Sequence, residues 1–270
     1  MARVLLEEAE PGHLVLTLDD PDRLNPLSMP LVTDLHAALD EAAGSRSVRT
    51  VVLTGAGRGF SSGANMAPTP EEADVVPAEG QNPVSHILGV QERIASLHER
   101  INRLPVPVIA AVNGVAVGGG FSLALACDLR FAAASARFGA VFIKVGVSAA
   151  DMGTSYFLPR IVGVTRAAEL MLTGRIFDAA QAREYGLVLD VVEDGTVVDR
   201  ALETARLIGE NPPVGVWMTK ETLWNNAHAG SLRQALDVEN RTQAMCLGSG
   251  EMERFREGFT TRTPVPWLDR

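Results

Sequence analysis

An α/β fold is predicted by two features of the chain. Short apolar runs alternate with helical patterns through the first two thirds, and the last third is helical in pattern almost throughout. The 270 residues, 46% of them hydrophobic, suffice for one large domain or a domain with an extension. In order, residues 13–18 (HLVLTL) are a strand candidate, and residues 30–43 a helix with Leu31, Leu35, Ala38 and Leu39 on one face. Residues 50–54 (TVVLT) are a second strand, and residues 87–104 a helix with a stripe at Ile87, Val90, Ile94, Leu97, Ile101 and Leu104. Residues 106–112 (VPVIAAV) and 129–132 (LRFA) are further strands, flanking an apolar helix that opens near Ser122. Helices then follow over residues 167–172, 179–185, 198–208, 214–227 and 232–247. Between the second strand and second helix, residues 67–83 (APTPEEADVVPAEGQNP) show no period and read as a loop, either a lid or a tolerated insertion.

Charge and composition narrow the function. With 24 basic and 33 acidic side chains the net charge is −9, which argues against nucleic acid as a partner, since phosphate binding needs a positive surface. The N-terminus lacks the pattern of a signal peptide, no apolar run approaches membrane-spanning length, and Cys127 and Cys246 are the two cysteines. The expectation is a soluble cytoplasmic protein with free thiols. No set of His, Cys and carboxylate residues has metal-ligand spacing, so no metal is expected. His86 reads as a surface or capping residue, Lys144 as solvent-directed, and Asp128 with Arg130 as a local pair or cap.

Two glycine-rich turns carry the chemistry. Residues 54–63 (TGAGRGFSSG) match the G-x-S-x-G pattern of a nucleophile elbow at Gly59–Gly63, but that motif requires a helix directly afterwards, and prolines follow instead. A dinucleotide fingerprint fails for the same reason. The second turn, Gly118-Gly119-Gly120, joins an apolar strand to an apolar helix, so bare N–H groups can face an anion or a developing oxyanion. The plainer reading is that both sets of glycines merely permit tight turns.

The segments 23–28 (RLNPLS), 55–66, 107–132, 172–175 (LTGR) and 211–213 (NPP) together resemble the enoyl-CoA hydratase/isomerase, or crotonase, superfamily over almost the whole chain. The resemblance implies a spiral of ββα units over residues 1–200, with a helical region over 201–270 that builds a homotrimer or a hexamer of two trimers. It implies an acyl-CoA substrate, with coenzyme A as part of that thioester and no prosthetic group. The backbone N–H groups of Ala64 and Gly119 would bind the thioester oxygen, each worth on the order of 3 kcal/mol as charge develops. Arg23, Leu24, Ser62, Ala64 and Met66 would line the CoA path, although Arg23 also reads as a residue solvating a turn.

The chain departs from the pattern of hydratases in this family, which hold water between two glutamates. The matching positions are Ser122 and Phe142, and neither can act as an acid or base. Asp151 is the nearest replacement; a carboxylate beside an apolar pocket can carry a proton along an enoyl chain. It equally reads as the N-cap of a helix over residues 152–161. Double-bond isomerisation is favoured on the residues and hydration by family habit, with a non-catalytic acyl-CoA binder as the alternative.

Overall fold

The computed structural model describes residues 2–66, 77, 80–263 and 266–270. Most of the loop expected at 67–83 lies outside these.

The core repeats one pattern. A strand joins a large sheet, a short strand turns away into a small sheet, and a helix returns the chain. Thus β3 (Thr50–Gly55), β4 (Gly59–Ser61) and α2 (Pro83–Arg103) form one unit, and β5 (Val108–Val112), β6 (Val115–Val117) and α3 (Gly119–Ala126) the next. A third contains β7 (Leu129–Ala133), β8 (Arg137–Gly139) and, after a 3-10 turn over Val141–Val145, α4 (Thr154–Val162). The unit before them has β1 (Arg3–Glu10) antiparallel to β2 (His13–Asp19), followed by α1 (Met29–Gly44). The large sheet runs β1-β2-β3-β5-β7-β10 and the small one β4-β6-β8-β9, with β9 at Phe177–Asp178 and β10 at Asp190–Val192. Asn25 and Asn113 tie the first crossover: Asn25 Nδ2 donates to the Gly59 carbonyl (2.8 Å) and Asn113 Nδ2 to that of Gly55 (2.8 Å).

Strand alternation explains which helices cover which face. Val51, Leu53, Val108, Ala110 and Val112 join the core beneath α1, α2 and α3. Val52, Ile109, Ala111 and Phe131 face the other way and pack on Val197, Ala201, Leu202 and Ala205 of α7 (Val197–Gly209). Helix α7 therefore closes the second face, and the division expected at residue 200 runs through it. All eight residues of α3 are buried, so it has no polar face.

Helices α5 (Val164–Thr173) and α6 (Ala179–Glu184) precede α7, and α8 (Pro213–Asn226), α9 (Leu232–Gly248) and α10 (Glu251–Thr261) follow it. Helix α8 is anchored by Lys220, whose Nζ reaches the Ile101 and Val106 carbonyls (3.0 Å each) and Asp128 Oδ2 (2.7 Å). The Trp224 indole donates to the other Asp128 oxygen (2.9 Å). Asp128 thus pairs across the chain with Lys220 rather than with Arg130, which corrects the expected local pair, while Arg130 does cap locally, donating to the Cys127 carbonyl (2.6 Å) at the end of α3 as well as to that of Leu187 (2.8 Å). Among the described residues, no helix is long and apolar enough to cross a membrane.

Candidate active site

The two glycine turns meet. Gly63 has φ +83°, and a Cβ built there would stand 2.6 Å from the Val117 carbonyl oxygen and 2.7 Å from the Gly119 nitrogen. Only glycine permits that approach. Ahead of it, Ser61 is fully buried, donates from Oγ to the Asn25 carbonyl (2.7 Å) and accepts from Gly63 N–H (3.2 Å). This bonding makes it a brace rather than an exposed nucleophile. Helix α3 opens at Gly119, three residues earlier than its sequence pattern suggests, so Gly119 N–H belongs to the unpaired first turn. On the other side, the Leu27 N–H donates to the Gly63 carbonyl (2.7 Å), and Leu27 forms a parallel bridge with Ala64. Neither the Ala64 nor the Gly119 amide donates to a partner among the described residues.

Beside this junction lies a cavity of about 580 Å³, whose lining includes Leu27, Ala64, Gln91, Phe142, Asp151 and Met152. Asp151 is half-buried there, and burial raises its carboxyl above the ordinary range, against hydrogen bonds that lower it. Those bonds come from Met152 N–H (2.8 Å) and the Gln91 amide, both to Oδ1. Asp151 is not the cap of the next helix, as the alternative sequence reading had it. Gly153, at φ +80°, is the N-cap of α4, and Asp151 offers only its backbone carbonyl, to Thr154 N–H (2.8 Å). The chain makes this extra turn because Met152 also takes a positive φ, +46°, rare for an unbranched bulky residue and held by burial of its side chain.

Ser122 and Phe142 differ in their relation to the cavity. Ser122 is fully buried, shares a 2.6 Å hydrogen bond with Thr154 Oγ1 and donates to the Gly118 carbonyl (3.2 Å). It lies outside the cavity lining, whereas Phe142 presents an aromatic ring to it. Of the residues expected along the CoA path, Ala64 and the exposed Met66 line the cavity. Arg23, Leu24 and Ser62 form an adjoining turn in which Ser62 N–H donates to the Leu24 carbonyl (2.8 Å) and Arg23 pairs with Asp20 (2.6 Å). Gln91 was not singled out from the sequence, where it reads as one more polar position on an amphipathic helix.

A family model described as enoyl-CoA hydratase/isomerase matches residues 8–270. The chain belongs to the enoyl-CoA hydratase/isomerase family. It is 42% identical over 242 residues to the Mycobacterium tuberculosis protein named "Probable enoyl-CoA hydratase EchA12", covering 89% of this chain and 83% of that one. To the 1,2-epoxyphenylacetyl-CoA isomerase of Escherichia coli it is 36% identical over 261 residues, covering 96% and 95% respectively. Among solved structures, an enoyl-CoA hydratase of Bacillus anthracis superposes with a TM-score of 0.88 at 32% identity, covering 98% of each chain. The spiral of ββα units in this chain is thus the crotonase fold shared by its enoyl-CoA hydratase/isomerase relatives.

Proposed function

We propose that this family member moves a proton on an enoyl-CoA thioester, shifting its double bond, with Asp151 as the proton carrier and the Ala64 and Gly119 amides as the oxyanion hole. The observation that carries the reading is that Asp151 is the one ionisable side chain among the described residues lining a cavity that also contains Ala64. The ionised carboxylate takes a proton from the α carbon, which lies between the thioester carbonyl and the double bond. The electron pair passes into the thioester, and its oxygen gains charge between two N–H donors that are already oriented. The same carboxyl returns the proton to the far carbon, so nothing is consumed. Burial helps by bringing Asp151 closer to the pKa of the groups it must exchange with. Phe142, at the position matched to a hydratase glutamate, offers a ring where water would be activated, which favours isomerisation over hydration. CoA would run along Arg23, Leu24, Ser62, Ala64 and Met66, and the helices after α7 would supply the contacts of a homotrimer or hexamer.

The reading is tested by incubating the protein with crotonyl-CoA, 3-enoyl-CoA and 3,5-dienoyl-CoA in deuterated water, following absorbance and deuterium uptake. Conversion of the unconjugated substrates is expected, with a loss of about 100-fold or more in Asp151→Asn. Wild-type rates in that variant would remove Asp151 from the mechanism. Thioester binding without conversion or exchange would identify an acyl-CoA binder instead.

A further inference from the structure

We propose that Gln91 is a positioning residue for Asp151: its amide, delivered by α2, holds the carboxyl through Oδ1 and leaves Oδ2 as the oxygen that exchanges the proton. The inference rests on the reading of Asp151 as proton carrier. Both hydrogen bonds to the carboxyl, from Met152 N–H and from Gln91 Nε2, converge on Oδ1. Oδ2 accepts no hydrogen bond among the described residues. A carboxylate held through one oxygen by donors from two separate elements cannot turn freely, so its second oxygen keeps a fixed direction. The backbone donor is itself set by the consecutive positive φ angles of Met152 and Gly153.

The placement of Gln91 fits this task. Its neighbours on the same face of α2, Ile87, Val90 and Ile94, also line the cavity, so Gln91 is the polar member of an apolar stripe. A primary amide there stabilises the anion without bringing a counter-charge, and the carboxyl therefore remains basic enough to accept a proton. Asp151 is the only ionisable side chain among the described residues lining the cavity. Glu92 and Arg93 on α2 and Lys144 on the adjacent 3-10 turn are exposed.

Wild type, Gln91→Leu, Gln91→Glu and Asp151→Asn should be compared through the pH dependence of kcat/KM for a 3-enoyl-CoA. Losing the amide leaves burial less opposed, so the acid limb should move up by about 0.5 pH unit or more in Gln91→Leu. It should move further in Gln91→Glu, which sets a second carboxylate against the first. In Gln91→Leu, kcat should fall about tenfold with KM nearly unchanged. A purely structural role would lower the rate or the stability and leave the limb in place. An unmoved limb in both Gln91 variants, with Asp151→Asn inactive, overturns the role of Gln91 alone. Full turnover in Asp151→Asn overturns the underlying reading as well. Carboxyl 13C NMR titration, with Asp151 assigned by the signal lost in Asp151→Asn, reads the same shift without a substrate, and an unchanged midpoint in Gln91→Leu rejects the proposal.

Discussion

Gly63 and Gly119 lie against each other, yet an added methyl group meets different surroundings at each. At Gly63 it would be forced into a left-handed backbone and against the Val117 carbonyl and Gly119 nitrogen, none of which can retreat cheaply. Gly63→Ala should therefore lose several kcal/mol of stability, on the order of 3, seen as a lower urea midpoint. At Gly119 the backbone is ordinary, and the methyl would meet Met152 Sδ at 2.9 Å and Leu27 Cδ1 at 3.0 Å, the ends of flexible side chains. Gly119→Ala should fold with a Tm within a few degrees of wild type. Turnover should nevertheless fall by about 100-fold, because the methyl group displaces the side chains around the proposed oxyanion donor. Unchanged kinetics in that variant would show that the Gly119 amide does not serve the reaction.

Among the elements, α8 depends most on one side chain. Lys220→Met would leave the partly buried Asp128 without its counter-charge, at a cost on the order of 3 kcal/mol by urea denaturation, much of it recovered by adding Asp128→Asn. A cost below about 1 kcal/mol would mean the pair does not anchor the helix. The sequence could not announce this pair, because an Asp after an apolar helix looks local and its partner lies in a distant helix. The same physics governs what else was legible. Helices α1, α2, α7 and α9 were readable because each is long enough to repeat its apolar face, and β2, β3, β5 and β7 because they are buried, bounded runs. Strands β4, β6, β8 and β9 span only two or three residues, too few to establish alternation. Strand β1 was hidden by its acidic side chains, and the start of α3 by burial on every side, which erases a helical period. At the site, both glycine turns and Asp151 were visible in the residue types. The Gln91 contact was not, because it depends on how α2 lies over the loop after the 3-10 turn.

For the whole molecule, the helices beyond α7 carry the clearest sign of association. Helix α9 buries none of its residues within the chain, and Leu232, Met245, Phe255 and Phe259 on α9 and α10 are exposed. Sedimentation equilibrium should give three or six times the 28.8 kDa of one chain, and a monomer at micromolar concentration would exclude the proposed assembly. The meeting of Gly63 with Gly119 has a further consequence. Both proposed donors there belong to the main chain, so no ordinary side-chain replacement deletes them, and the turns that carry them follow β4 and β6, which are paired neighbours in the small sheet. On the proposed reading, the grip on the carbonyl comes with the architecture, while the proton carrier is one interchangeable side chain at its edge. Such a scaffold can change its reaction in few mutational steps, and transplanting acids to positions 122, 142 and 151 becomes a direct way to redirect it.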